Sequence, residues 1–369
     1  MKETVITFIV TKSCQLRCKY CYLPGKNNAE RMGYGVASQV IDYLVSEKRI
    51  PKTMPLVLDF IGGEPLLEIE LIERIIRYAS NVFTHYSLPW KDNFRVRITT
   101  NGLLYNHPNV QRFIKDFSSR LMISISIDGD KQKNDTNRVF SDGQGSYDRL
   151  IECIPLWREQ FPNEGTKMTI SHDDLPYLYQ SIVHLISLGI CMIDVNPVLE
   201  PIWQEGDDKL FEEQLVQVAD YIIDNGLCEK INISSFHESI GQNYQSANQI
   251  FNPCGSMFIS VDSNGLFYTC LRFAAFGLTH YPPQIIGDIE HGINWNRMRP
   301  HYLFSRDTIT PESCRKCEVA DGCKMCPALN YDLSKTQSMY QRNLGICKMH
   351  KAKVHAKNYY WNKLYNTIK

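Results

Sequence analysis

From residue 4 onward, short apolar runs alternate with longer stretches in which apolar residues recur every three or four positions. TVITFIV, PLVLDFI, FRVRITTNG, LMISISIDG, KMTIS and CMIDVNPV read as strands. GVASQVIDYLVSEK, LEIELIERIIRYASNVF, NVQRFIKDF, YDRLIECIPLWREQF and LPYLYQSIVHLISLG carry the spacing of helices with one apolar face. About six β–α units in series predict parallel strands joined by right-handed crossovers and covered by helices. They could build an open sheet or a partial barrel. In both, functional loops follow the C-terminal ends of the strands. TKSCQLRC, GGEP, TTNG and the Asp-Gly of SISIDG stand at those ends after the first four strands.

Past residue 200 the rhythm changes. KLFEEQLVQVADYIIDNG predicts one more helix, and AKVHAKNYYWNKLYN another near the C-terminus. Between them lies a loop-rich stretch with Cys, Gly and Pro. The expected organisation is α/β, with one domain over residues 1–230 and a small loop-rich domain over 231–369. A chain of 369 residues is long enough for two cores.

Charge adds an exclusion. Forty basic and forty acidic residues leave no surplus, so neither nucleic acid nor a membrane surface is an expected partner. No apolar run reaches the roughly 18 residues of a membrane span, and a cytoplasmic location is expected. Thirteen cysteines change the picture more. Clustered cysteines in a reducing compartment indicate metal or catalysis rather than disulfides. Three are single: Cys153, Cys191 and Cys228 read as buried small hydrophobes.

Cys14, Cys18 and Cys21 form C-x3-C-x2-C after the first strand. Three thiolates are one short of a tetrahedral zinc site, and they leave one iron of a [4Fe–4S] cluster without a protein ligand. The triplet resembles the radical S-adenosylmethionine (SAM) enzymes, whose motif is C-x3-C-x-aromatic-C, with Tyr20 in the aromatic place. The resemblance implies a partial (β/α)6 barrel, a cluster whose open iron chelates SAM, and a 5′-deoxyadenosyl radical that takes hydrogen from carbon. It implies SAM contacts from Gly62, Gly63 and Glu64 of GGEP. Asn101, Ser126 and Asp128 would join them at the next strand ends, and Arg138 would pair with the SAM carboxylate. Each also reads as an ordinary turn or capping residue.

Near the C-terminus, Cys254 and Cys270 flank Gly265, followed by CRKCEVADGCKMC from Cys314 to Cys326 and then Cys347. This resembles the SPASM extension of radical SAM enzymes that modify peptides and proteins, apart from an x2 gap before Cys326 where x3 is usual. The resemblance implies two auxiliary [4Fe–4S] clusters, three clusters in all. Cys314, Cys317, Cys323 and Cys347 would hold the outer one. Cys254, Cys270 and Cys326 would hold the inner one, with a fourth place for a substrate thiolate or for another residue such as His350.

Several stretches resemble maturases of ribosomal precursors with repeated Cys-x-x-x units, among them ITFIVTKSCQLRCKYCYL and SHDDLPYL. That implies a cysteine-containing precursor peptide as partner, thioether cross-linking as the reaction, and an electron donor such as flavodoxin or ferredoxin. Carbon–carbon cross-linking is the alternative within the class. Formylglycine formation fits less well, because Leu271 stands where the sulfatase-maturing enzymes place an aspartate base. A zinc-binding interaction protein is the non-enzymatic alternative. With 13 residues before Cys14, no leader-binding domain is expected ahead of it. A general base is not identified.

Overall fold

The computed structural model describes residues 3–23, 30–242 and 258–368. The chain forms two units, neither continuous in sequence. One comprises Met1–Gln15, Cys21–Ser124 and Pro253–Phe304; the other comprises Leu16–Tyr20, Ile125–Asn252 and Ser305–Lys369. The boundary expected near residue 230 is a change of sequence character; compactness divides the chain differently.

In the first unit, β1 (Thr4–Thr11), β2 (Leu56–Gly62), β3 (Arg95–Thr100) and β4 (Leu121–Ile125) lie side by side in chain order. β1–β2 and β2–β3 pair in parallel. The lack of apolar–polar alternation in β1 has a reason: every residue of it, Thr7 included, is buried. A strand covered on both faces has no solvent side to alternate with. The helix between β1 and β2, α1 (Tyr34–Ser46), and that between β2 and β3, α2 (Ile69–His85), pack together. α2 buries Ile69, Ile72, Ile75, Ile76, Ala79 and Phe83, an i, i+3, i+4 stripe. α3 (Pro108–Phe117) follows β3.

Four further strands extend this sheet, which the pattern did not predict. β8 (Phe258–Val261) pairs in parallel with the free edge of β1, Val5 opposite Phe258. β9 (Leu266–Tyr268), β10 (Gly287–Asp288) and β11 (Gly292–Ile293) then continue it by antiparallel pairing. The loop-rich C-terminal region thus shares a sheet with β1.

The second unit holds β5 (Thr166–Ile170), β6 (Met192–Pro197) and β7 (Asn232–Ile233), a parallel three-stranded sheet. Two predicted elements are shortened or broken. SISIDG was expected to be strand throughout, but β4 ends at Ile125, whose carbonyl accepts from Thr166 Oγ1 at 2.6 Å. YDRLIECIPLWREQF is not one helix: α-helical turns at Tyr147–Leu150 and Ile154–Gln160 flank a 3-10 turn. Pro155 has no N–H for the preceding turn.

α4 (Lys131–Asn137) escapes hydrophobic analysis, because its buried residues are Lys133, Asn134 and Asn137. α5 (Leu178–Ser187) and α6 (Asp207–Asp224) match their predictions closely. α7 (Pro327–Leu333) is short, and α8 (Cys347–Ile368) begins at a cysteine, five residues before the expected start. α8 lies along α6, with Lys363 Nζ 2.8 Å from Asp220 and 2.9 Å from Asp224.

Candidate functional site

In the first unit the loop after β1 carries Cys14 and Cys21, and GGEP docks against it. Gly63 N donates to Thr11 O at 2.9 Å and Glu64 N to Ser13 O at 2.8 Å. A Cβ on Gly62 would stand 2.1 Å from Thr11 O, and one on Gly63 2.2 Å from Ser13 O. The two glycines are therefore required by the backbone of the cysteine loop.

Glu64 is 1 % exposed. Its Oε1 accepts from Thr100 Oγ1 at 2.7 Å and Leu66 N at 3.0 Å, and its Oε2 from Asn101 N at 2.8 Å. These three donors occupy most of the roughly four acceptor sites of a carboxylate and fix its orientation. The Asn101 amide reaches back to the loop, 3.2 Å from Gln15 Oε1 and 3.8 Å from Cys14 Sγ. Thr100, which sequence analysis passed over, helps to hold Glu64.

In the second unit Tyr20, Asp128 and Arg138 meet. Asp128, fully buried, accepts from Arg138 Nε at 2.9 Å, from Thr169 N at 2.8 Å and from the Tyr20 hydroxyl. The Arg138 guanidinium lies 5.7 Å from the Tyr20 ring centre. Burial pulls the Arg138 pKa down, but the charges of Asp128, Tyr20 and Cys18 outweigh it and raise the value. Burial, together with Asp128 and Cys18, raises Tyr20. Arg17 N and Lys19 N donate to Val139 O and Asn137 O, fastening the loop segment before Tyr20 beside Arg138.

Beneath them lies a polar platform that no periodicity announces. Lys133 Nζ donates to Asp174 at 3.0 Å and Thr169 O at 2.8 Å, and Asn137 donates to Asp174 at 2.8 Å. Neither Lys133 nor Asp174 is exposed. Ser126 is half-buried, just past β4.

The C-terminal cysteines divide between the units. Cys270 lies in the first. Its neighbour Arg272 stacks 4.3 Å over the Tyr22 ring, and both Cys270 and Cys21 are in Coulombic reach of that ring. In the second unit Cys326 is buried at the N-terminus of α7, its sulfur accepting from Leu329 N at 3.5 Å. Cys254 lies outside the described residues.

Cys314, Cys317, Cys323 and Cys347 come together around Arg342. Arg342 Nη2 donates to Cys323 Sγ at 2.6 Å and acts electrostatically on Cys314 and Cys347. Cys314 in turn feels Cys347 and Cys317. Burial pushes the Cys314 and Cys323 thiols up, while Arg342 pulls them back.

Iron–sulfur ligation fits this donor set, because four thiolates repel one another and a guanidinium on one sulfur offsets that charge. Among the described residues, no group of three or more His, Cys, Asp or Glu is arranged for a single metal ion. His350 Nε2 donates to Val319 O, 2.5 Å away, and its Nδ1 is buried with no hydrogen-bond partner. Its charged neighbours are Lys353, Arg342 and Asp321.

Of the three single cysteines only Cys153 is buried. Cys191 and Cys228 are half-buried, contrary to expectation. They line a cavity of about 580 Å³ with Phe236, Tyr360 and Trp361. Apolar neighbours in sequence place a residue near a core without saying whether it lies inside. No helix among the described residues is long and apolar enough to cross a membrane.

Comparison with known proteins gives the frame. Residues 8–174 match the model of the Radical SAM superfamily. An uncharacterized protein of Methanocaldococcus jannaschii is 31 % identical over 201 residues, 54 % of this chain and 64 % of that protein, so the match spans less than two thirds of that relative. The radical SAM cyclopropyl synthase TigE of Paramaledivibacter caminithermalis is 22 % identical over 371 residues, 94 % of this chain and 72 % of TigE. The solved structure of native anSMEcpe with bound AdoMet and Cp18Cys peptide superposes with a TM-score of 0.71 at 17 % identity, covering 98 % of both chains. At that identity the likeness is one of fold. Residues 8–174, which hold the cysteine loop after β1, the buried Glu64 and the Tyr20–Asp128–Arg138 network, are thus the part of the chain that matches the radical SAM superfamily.

Proposed function

We propose that the chain is a radical SAM maturase of the SPASM type that modifies a cysteine-containing precursor peptide by thioether cross-linking. The observation that carries the peptide reading is the outer thiol set, Cys314, Cys317, Cys323 and Cys347, gathered around Arg342 behind a radical SAM domain. TigE and the peptide-bound anSMEcpe structure support it by their likeness across nearly the whole chain.

When bound, a [4Fe–4S] cluster and SAM supply a 5′-deoxyadenosyl radical that takes hydrogen from carbon. Cys14, Cys18 and Cys21 would hold that cluster, served by a donor such as flavodoxin or ferredoxin. The chain's own work is placement. Glu64, oriented by Thr100, Leu66 and Asn101, would pair its negative charge with the SAM ammonium. Arg138 donates through Nε to Asp128, and its terminal nitrogens would pair with the SAM carboxylate. Asn101 and Ser126 would contact the SAM ribose, and Gly62 and Gly63 let GGEP approach the cysteine loop closely. Two further clusters are assigned, an outer one on Cys314, Cys317, Cys323 and Cys347, and an inner one on Cys254, Cys270 and Cys326. The inner set is one thiolate short of four, and we assign the missing place to the peptide's cysteine.

A carbon–carbon bond is the second reading, favoured by the likeness to a cyclopropyl synthase. One experiment separates them. The reconstituted protein is incubated with SAM, reductant and a Cys-containing precursor, and the product is then alkylated. A loss of two hydrogens with the thiol no longer alkylated supports the thioether. The same loss with a reactive thiol supports carbon–carbon bonding. No mass loss, or bound zinc in place of about twelve irons per chain, counts against both.

A further inference from the structure

Arg342 is 9 % exposed, and its closest polar contact is with a sulfur rather than a carboxylate: Nη2 to Cys323 Sγ, 2.6 Å. Its backbone is anchored too, Arg342 N donating to Thr310 O at 2.8 Å. A second cation, Lys353 of α8, is buried six residues beyond Cys347. Its Nζ is tied to Gly322 O at 3.2 Å, and it acts electrostatically on Cys323. A third, Lys324, faces Asp194, which offsets it. Asp321 stands near His350.

Burying a guanidinium and an ammonium is costly unless anionic partners receive them. A neutral thiol is a weak acceptor and a thiolate a strong one. The arrangement is therefore built for sulfurs that carry charge. Hydrogen bonds to the sulfurs and nearby charge are the protein's means of setting a cluster's potential.

We infer that Arg342, assisted by Lys353, sets the reduction potential of the outer cluster, making it easier to reduce than its four thiolates alone would allow. The inference rests on the reading that Cys314, Cys317, Cys323 and Cys347 hold a [4Fe–4S] cluster. Adding one electron to the [4Fe–4S]2+ form gives [4Fe–4S]+, and the extra negative charge spreads onto the sulfurs. A donor and a cation at Cys323 stabilise that reduced form more than the oxidised one, so the potential rises.

The test is a redox titration of the reconstituted full chain followed by electron paramagnetic resonance. The outer signal is the one that survives replacement of Cys14, Cys18, Cys21 and Cys270 by Ala and disappears with Cys347→Ala. In Arg342→Met with full iron, the ratio of reduced to oxidised outer cluster at the wild-type midpoint falls about tenfold, a shift of about 59 mV for one electron. The midpoint of the SAM-binding cluster stays put. An unshifted outer midpoint in an iron-replete Arg342→Met overturns the inference while leaving the proposed function intact. If Arg342→Met loses the outer iron, Lys353→Met carries the test. A fall of about threefold in the same ratio supports the inference, and no change overturns it. A wild-type chain that shows no Cys347-dependent signal overturns the cluster reading itself.

Discussion

Asp128 and Arg138 form a buried ion pair, carboxylate to Nε at 2.9 Å, with side-chain exposures of 0 % and 8 %. The same carboxylate receives the Tyr20 hydroxyl and Thr169 N, so one charge ties the cysteine loop to the end of α4 and to β5. A buried pair of this kind does not guarantee stability, but losing one partner leaves the other charge uncompensated. Asp128→Asn should lower stability by about 3–5 kcal/mol and weaken SAM binding at least tenfold. Arg138→Met added to it should cost little more, since the two act as a unit. Thermal unfolding and calorimetric SAM titration of the three variants measure this. A wild-type midpoint in Asp128→Asn would refute the assignment.

Gly63 is the point where GGEP meets the cysteine loop. A Cβ there would lie 2.2 Å from Ser13 O, and backbone atoms cannot yield as a side-chain tip can. On the proposed cluster assignment, Gly63→Ala is expected to lose about four irons per chain while the iron held by the C-terminal cysteines stays. Iron analysis with a sulfide count decides it, full iron content being the contrary result.

Lys133 and Asp174 sit at zero exposure within the platform under Asp128. Lys133→Met strands the carboxylate and should cost about 3–5 kcal/mol. Asp174→Leu added to it should recover much of the loss, because an apolar pair needs no counter-charge. Urea midpoints of both variants test this, and equal midpoints for the single and double variants speak against it.

Burial holds His301 at a pKa of about 4, below its ordinary 6.5, and it meets Thr269 Oγ1 at 3.2 Å. The unfolded chain therefore takes up a proton before the folded one does. The resulting stability is complete above pH 6.5 and is lost as pH falls toward 4, by at most about 1.4 kcal/mol per pH unit. The fall in thermal midpoint between pH 7 and 5 should be shallower in His301→Gln than in wild type. Parallel curves would exclude the histidine as the source.

Much of the α/β frame was legible. The buried run of β1, the alternation of β3 and the stripe of α2 each write their surroundings into a local period. α4 was illegible because its buried side is polar: Lys133, Asn134 and Asn137 carry no apolar signal, and partners far along the chain, Thr169 and Asp174 among them, receive Lys133 and Asn137. The broken helix around Pro155 could have been read from the missing N–H alone.

The cysteine spacings, through the family resemblance they carry, pointed to the class of chemistry. Ligands a few residues apart on one loop are held near each other by the chain, whatever the rest of the fold does. The βα rhythm likewise determined the strand-and-helix series, since burial of one face imposes its period locally. What only tertiary structure decided are the meetings across distance: Tyr20 with Asp128, Arg342 with Cys323, and β8 beside β1. A period states which face of an element is buried, not what covers it, and those partners are chosen by burial and charge balance in the folded chain.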